Sequence, residues 1–539
     1  MAKSPKRIFA EEFLRKNKGT DRGLALKLFN ERPDLYKDSE QARGFVRYIH
    51  GKSGKHNRKM VSDKSLLKDY NTNYIEYLPE QYRDAQKKKF DKTKKRFIIT
   101  WAQNNTPVHK DFLTNIEAYA KHIDASVHVI LGRYKNPTSV FTDKDYECWD
   151  ESILSYADAN RHNLHKHLTI MSDVKIQPTA TTPLSSMESI SGLSSAIFGH
   201  PRVSFKTISA LEGYEPKMLF TTGACTLKNY TDAKAGKKGE FHHTLGFVVI
   251  EIKDKEIFIP RQVTALSNGS FTDLWFNVKN GRVSKIDGIE AVVIGDKHIG
   301  DHCRVLDKQQ QNLLNILKPK HTIIHDLFNG TSVNHHEEQD PIKQYILEQS
   351  GDNLIKKEIE SMMTWLDSWK KYNLVVVASN HNDWLDRYIK KKDWKRDIKN
   401  AMEYMEFSKI LLSDKAKKGI IAYLIEERFG KNIKTLGRND SYRVHGFELS
   451  QHGDIGSNGS RGSVIQFKKL STKMITADSH TPSREEGVLV VGTSTKLRVG
   501  YNIGASAWRN ADAIIHKDGK AQHIIYMGKD KDFTTFKYV

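Results

Sequence analysis

Five short segments place Asp, Asn or His directly after an apolar run. The run Ala-Val-Val-Ile-Gly leads into Asp296 and His298, and Thr-Ile-Ile-His leads into Asp326. Leu-Val-Val-Val-Ala-Ser leads into Asn380 and His381. Gly-Phe-Glu-Leu-Ser-Gln leads into His452, and Met-Ile-Thr-Ala-Asp-Ser into His480. Each run reads as a strand, and α/β proteins build sites at the carboxyl ends of their strands. Strands of a common sheet are therefore expected to bring these residues to one edge. Carboxylate, amide and imidazole groups suit Mn, Fe or Zn, and no cysteine stands among them to make a soft thiolate site. Two such ions about 3.5–4 Å apart can activate water and clamp the oxygens of a phosphoryl group. Asp326, alone on its strand end, is the natural bridging carboxylate.

The order Asp-x-His, Asp, Asn-His, His, His-Thr resembles the calcineurin-like metallophosphoesterases over roughly residues 288 to 500. The resemblance implies a two-sheet β-sandwich flanked by helices, with a pair of divalent ions, Mn foremost and Mg, Fe or Zn as alternatives. It implies that Asp296 and His298 hold the first ion, that Asp326 bridges, and that Asn380, His452 and His480 hold the second. It implies that His381 binds no metal and protonates the leaving oxygen. The sequence departs from the family pattern at several places. His325 precedes the bridging Asp where Gly is common, and Ser379 stands for Gly before the Asn-His pair. Asn382 follows that pair, with Asp383 one place later as a candidate to orient His381. Ser479 precedes the last His, and Pro482 occupies the place of a possible further ligand. His445 is the alternative to His452. Asp301 reads as a helix cap, and Arg304 as a partner for a substrate phosphate or for a carboxylate. The tract His-Gly-Asp-Ile-Gly-Ser-Asn-Gly-Ser-Arg-Gly-Ser carries Arg461 and reads either as an anion cradle or as a plain loop.

The elements around these motifs fall into three regions. Residues 1–92 are basic and mostly helical, with two short amphipathic helices before an Arg-rich third. This helix-turn-helix-like region offers Arg43, Arg47, Lys52, Lys55, Arg58 and Lys59 to nucleic acid. The stretch from Asp84 to Arg96 reads as a linker. Residues 93–285 read as an α/β domain of no assigned role. It begins with a βαβ unit over Phe97–Trp101, Phe112–His122 and Val127–Leu131, and later carries a strand at 243–252. Its histidines (His162, His165, His167, His242 and His243) match no metal spacing and read as structural. Residues 286–539 form the catalytic domain. No internal repeat is evident in the sequence.

Composition bears on the partner. Lys and Arg number 86 against 65 Asp and Glu, a net charge of +21, which favours polyanions through counterion release. There is no apolar run of membrane-spanning length and no signal-like start. The three cysteines, Cys148, Cys225 and Cys303, form neither a disulfide framework nor a zinc motif, which suits a reducing cytoplasm. A basic front and a phosphoesterase back point to DNA as substrate, and the whole chain resembles the pre-early DNases of T5-like bacteriophages. That resemblance implies host DNA as the target, cleaved in the bacterial cytoplasm. A protein or nucleotide phosphatase, a DNA-binding host-takeover factor with a vestigial site, and an RNA-processing enzyme are the alternatives. The middle region leaves room for homo-oligomeric assembly.

Overall fold

The computed structural model describes residues 5–50, 79–88, 91, 93–133, 147–500 and 502–536. It divides into two compact units, Met1–Arg83 and Asp84–Val539.

The first unit holds α1 (Pro5–Lys16), α2 (Asp21–Glu31) and α3 (Ser39–Ile49). Thr20 caps α2, and Asp38 caps α3 by accepting from the Gln41 N–H at 2.7 Å. Ala10 and Phe13, Leu24 and Leu28, and Ala42 and Val46 pack their three helices around one small core. Arg43 pairs with Glu40 at 3.2 Å, and Arg47 is exposed in the last turn of α3. Lys52, Lys55, Arg58 and Lys59 lie outside the described residues.

The second unit is a mixed α/β structure. Its six-stranded sheet contains β1 (Ala291–Ile294), β2 (His321–Ile324), β3 (Leu374–Val377) and β4 (Lys434–Leu436), which run parallel in that order. On the other side of β1, β5 (Ala511–Ile515) and β6 (Ala521–Ile525) add antiparallel. β1 and β3 are buried at every position, which is why they read as unbroken Val and Ile runs rather than alternating ones. Ala291, Val293, Ile323, Val375 and Val377 pack with Phe447, Leu449, Ile475 and Leu489 of a second sheet. Each such side chain contributes about 1.5–3 kcal/mol by leaving water.

That second sheet has ten strands. Arg443–Val444, Phe447–Glu448, Lys473–Thr476, Val488–Val490 and Ser483–Glu485 make one half. Phe205–Ile208, Lys217–Thr221, Ser195–Phe198, Leu168–Met171 and Arg161–His165 make the other. The halves join where Ser483 and Arg484 pair antiparallel with Lys206 and Phe205. The second half packs on a five-stranded sheet of Phe258–Thr264, Gly246–Ile252, Arg96–Gln103, Ala125–Gly132 and Ala157–Asp158. Phe97, Trp101, Ile170, Ile197 and Phe220 fill the space between them. The expected βαβ unit is present, with Lys110–His122 linking two parallel strands. The stretch expected as a linker starts inside the helix Glu80–Lys87 and ends in the strand Arg96–Gln103. The stretches 93–285 and 286–539 share the ten-stranded sheet and lie in one compact unit.

The five strand ends do not share a common sheet, contrary to expectation. β1, β2 and β3 belong to the six-stranded sheet. The strands before His452 and His480 are parallel neighbours in the ten-stranded sheet that packs against it.

Candidate metal centre

β1 ends beside Gly492, just past the strand Val488–Val490. A Cβ on Gly295 would stand 2.7 Å from the Gly492 carbonyl oxygen, so only glycine lets the chain pass there. Asp296 and His298 follow directly. Between them Lys297 turns away and is fully buried. Its ammonium pairs with Asp307, bonds Gln310 at 2.7 Å, and faces the rings of Trp369 and Trp365 at 4.5 and 5.0 Å. Asp307 also accepts from the Trp365 indole at 2.9 Å. Asp307 and Gln310 lie on α4 (Arg304–Leu317), and both tryptophans on α5 (Ile355–Trp369). This packing ties the Asp-x-His segment to two helices.

The candidate residues converge. Asp326 Oδ2 lies 3.4 Å from His298 Nε2, 3.4 Å from His452 Nε2 and 4.0 Å from His381 Nε2. Asp296 lies 3.1 Å from His480 Nε2 and 3.8 Å from His452 Nδ1. Two groups result, His298–Asp326–His381 and Asp296–Asp326–His452, and within each the potential ligand atoms lie within 4.8 Å of one another. Asp326 belongs to both. His298, Asp326 and His480 all have left-handed backbones, with φ of 43°, 46° and 56°. For residues with side chains that costs of order 1–3 kcal/mol each.

The buried atoms at this point lack partners. Both oxygens of Asp296, Asp326 Oδ1, Asn380 Oδ1, both nitrogens of His452, and Nδ1 of His298 and of His480 have no hydrogen bond. Buried polar atoms are normally satisfied, because leaving one unpaired costs about 1–3 kcal/mol. Two carboxylates, an amide oxygen and several imidazoles gathered at one place fit divalent cations, which would satisfy the oxygens and one nitrogen of each ligating imidazole.

The electrostatics agree with that fit. Burial pushes the Asp326 carboxyl up, yet the imidazoles of His381, His452 and His298 prevail and hold it well below the usual carboxylate range. Burial opposes charge on His452, but Asp326 and Asp296 outweigh it and raise this imidazole to about 10. The two carboxylates thus demand positive charge at His452, by a proton or by a metal. His298 is pushed well below its ordinary value by burial, and His325 to about 3.

His381 stands at the rim. It is the second residue of α6 (Asn380–Lys391), whose cap is Ser379, accepting from the Asn382 N–H at 3.2 Å. His381 Nδ1 is 2.6 Å from the Asn329 carbonyl, so Nδ1 carries hydrogen and Nε2 faces Asp326. Trp384 stacks on the ring with centroids 3.9 Å apart. Orienting His381 therefore falls to Asn329 and Trp384, not to Asp383, which instead pairs with Arg438 at 2.8 Å. Arg438 also binds Asp454 at 2.8 Å, two residues beyond His452. The cap of α4 is Cys303 rather than Asp301, whose carboxylate accepts from Asn329 Nδ2 at 3.0 Å. Arg304 and Arg461 are exposed, Arg304 in the first turn of α4. His445 lies 3.8 Å from Glu290 and takes no part in either group. A cleft of about 820 Å³ opens beside His381 and Trp384, and Lys343, Lys357, Lys496 and Arg498 lie along it.

Four further residues stand at the site beyond the candidates read from the sequence: Lys297, Asn329, Trp384 and Asp478, the last 3.8 Å from His452. Asp478 had a signal, since it stands two residues before His480. Asn329 acts through its backbone carbonyl, which no residue type announces. Among the described residues, no helix is long and apolar enough to cross a membrane.

No family model matches the chain, and no solved structure matches it. Among curated proteins it is similar to Protein A1 of Escherichia phage T5, 30% identical over 455 residues, which span 79% of this chain and 81% of that one.

Proposed function

The chain belongs to the same family as Protein A1 of Escherichia phage T5, and we propose that it is a metal-dependent DNase of calcineurin-like type, acting on DNA in the cytoplasm of an infected bacterium. One observation carries the reading: the two groups of Asp and His side chains share Asp326 at their centre, with both oxygens of Asp296, Asp326 Oδ1 and both nitrogens of His452 buried and without a hydrogen bond. By the family resemblance Asp296 and His298 would hold one ion, Asn380, His452 and His480 the other, and Asp326 both, a division that crosses the two groups, since Asp296 lies with His452 and His298 with His381. Divalent ions, Mn first, would supply an activated water and charge stabilisation on the phosphoryl oxygens.

The chain's own residues then have distinct tasks. His381 keeps its Nδ1–H on the Asn329 carbonyl and directs Nε2 into the site; entering the step as the imidazolium, it would give the Nε2 proton to the departing sugar oxygen and be left as the neutral ring. Trp384 and Asn329 fix the ring in that attitude. The cleft beside it takes the strand, and the exposed Lys496 offers charge to a backbone phosphate. The net charge of +21 favours a polynucleotide over a small ester.

The test is cleavage of supercoiled and linear duplex DNA with Mn, with Mg and with EDTA, beside Asp326→Ala. Metal-dependent cleavage lost in the variant supports the reading, and nicking of the closed circle makes it an endonuclease. Tight DNA binding without cleavage would replace it with a vestigial site. Turnover of a small phosphomonoester in place of DNA would make the protein a phosphatase.

A further inference from the structure

The strand pairings of the large unit repeat. In the six-stranded sheet, β1 pairs parallel with β2 on one side and antiparallel with β5 on the other, and β6 follows antiparallel. In the five-stranded sheet, Arg96–Gln103 pairs parallel with Ala125–Gly132 and antiparallel with Gly246–Ile252, and Phe258–Thr264 follows antiparallel. The halves of the ten-stranded sheet also match, strand for strand, outward from the central pair Phe205–Ile208 and Ser483–Glu485. Their directions agree: antiparallel, parallel, parallel, antiparallel from the outer edge inward. Each half of the unit is thus the same two-sheet structure, and the central pair relates them about a pseudo-twofold axis.

Register shows what became of the site. The Ser494 N–H bonds the Asp296 carbonyl at 2.8 Å, and the Cys225 N–H bonds the Trp101 carbonyl at 2.8 Å. Trp101 therefore holds the place of Asp296, and Gln103 that of His298. Ala291 pairs with His321, and Arg96 with Ala125. Counting five residues on along each strand puts Ile130 where Asp326 stands. Thr476 pairs with Val490, and Phe198 with Thr221; beyond them the Arg509 N–H bonds the His480 carbonyl as the Thr244 N–H bonds the Pro201 carbonyl, so Pro201 corresponds to His480, with Arg202 next to it. The Trp101 indole fills the space: a Cβ on Gly132 or on Gly199 would come within 2.3 Å of it. Arg202 is neutralised by Glu486 of the other half, at 2.5 Å.

The hairpin Phe205–Thr221 of the first half reaches the other site. Thr207 Oγ1 donates to the Pro482 carbonyl at 2.8 Å, two residues beyond His480. Ala210 and Ser506 exchange backbone bonds of 3.0 and 2.9 Å. The Arg509 guanidinium bonds the Pro216 carbonyl, while the Arg509 N–H bonds the His480 carbonyl at 3.2 Å. Trp508, between them, meets the His480 ring edge-on at 4.1 Å.

We propose that residues 93–285 are a second copy of the catalytic fold which binds no metal and serves to position His480 of the catalytic copy through the hairpin Phe205–Thr221. The duplication stands on the pairing pattern; the positioning role rests on the metal-centre reading above. Thr207 is its most direct positioning residue, since its hydroxyl fixes the backbone beside His480 without touching the site.

The experiment is calorimetric Mn titration of the full chain as wild type, Thr207→Val, Thr207→Ser and Asp326→Ala, with thermal melting of each. Two ions per wild-type chain are expected, with uptake lost in Asp326→Ala. Thr207→Val is expected to weaken Mn binding by up to roughly 10-fold, and Thr207→Ser to restore it at an unchanged melting temperature. Four ions per chain, or ions retained in Asp326→Ala, would overturn the metal-free copy. Wild-type affinity in Thr207→Val, or a weakening shared by Thr207→Ser, would overturn the positioning role. No uptake by the wild type would overturn the metal centre and the positioning role with it.

Discussion

The Nε2 atoms of His298 and His480, 182 residues apart in the chain, face each other at 3.2 Å. His298 follows β1 of one sheet, and His480 follows Lys473–Thr476 of the other. Their meeting is the point at which the packed sheets become one site. Asp326→Ala and Asp296→Ala each remove a carboxylate from this point. Both are expected to reduce DNA cleavage to background and to lower Mn uptake, read by calorimetry beside a plasmid assay. Full uptake in either variant would place the ions elsewhere.

His381→Ala separates chemistry from metal binding. Cleavage is expected to fall roughly 10²–10⁴-fold, the usual range for losing a general acid. Mn affinity is expected to stay at the wild-type value. A variant with full activity would remove His381 from the reaction.

Lys297→Ala probes the support behind Asp296 and His298. It leaves Asp307 buried without its cation and opens space beside Trp365 and Trp369. Breaking such a pair costs about 3–5 kcal/mol. Urea unfolding should show this as a lower midpoint. A change below ~1 kcal/mol, the size of an exposed pair, would show that the network does not brace the site.

Glu448 gives a pH signature. This buried carboxylate accepts from the Tyr442 N–H at 2.8 Å, from the Ser441 hydroxyl at 2.5 Å and from the Ser450 hydroxyl at 2.8 Å, on the segment leading to His452. Burial pushes its pKa up, but these bonds prevail and hold it down at about 2, against 4.5 for an ordinary glutamate. A depressed carboxylate contributes stability above the unfolded value that is lost as pH falls through the folded one. Glu448→Gln should therefore melt lower than wild type at neutral pH, and the gap should close between pH 4.5 and about 2. A gap that stays constant over that window would contradict the assignment.

For the first unit, Arg47→Glu should weaken duplex DNA binding and reduce the salt slope by about 1 or more. Arg43→Glu should do less, because Glu40 already neutralises Arg43 in part. Fluorescence anisotropy at several salt concentrations reads both. Unchanged affinity and slope in the double variant would remove α3 from DNA contact.

Much of the site was legible because its residues stand at strand ends, where an apolar run and a following Asp, Asn or His can be read from a single chain. What joins them was less so. Nothing in the runs before His452 and His480 says that they belong to a different sheet from β1, β2 and β3. Lys297 reads as a surface residue, since only the folded chain brings Asp307, Gln310 and two tryptophans around it. Asp383 was plausible as the partner of His381 by proximity in sequence, yet a helix turns it toward Arg438. The repeat was hidden because its telltale positions diverged most. Trp101 and Ile130 carry no trace of the carboxylates at Asp296 and Asp326, and only backbone register aligns them.

The central pair of the ten-stranded sheet has one more consequence. Phe205 meets Arg484 and Lys206 meets Ser483 at a seam whose two sides are near-equivalent strands of the same fold. Such a seam is self-complementary. A gene split near residue 285 would turn it into a free edge of unsatisfied backbone on each piece, open to pairing with a like piece. Covalent linkage forces unlike halves together: it keeps the half that carries the Asp and His groups from pairing with its own twin.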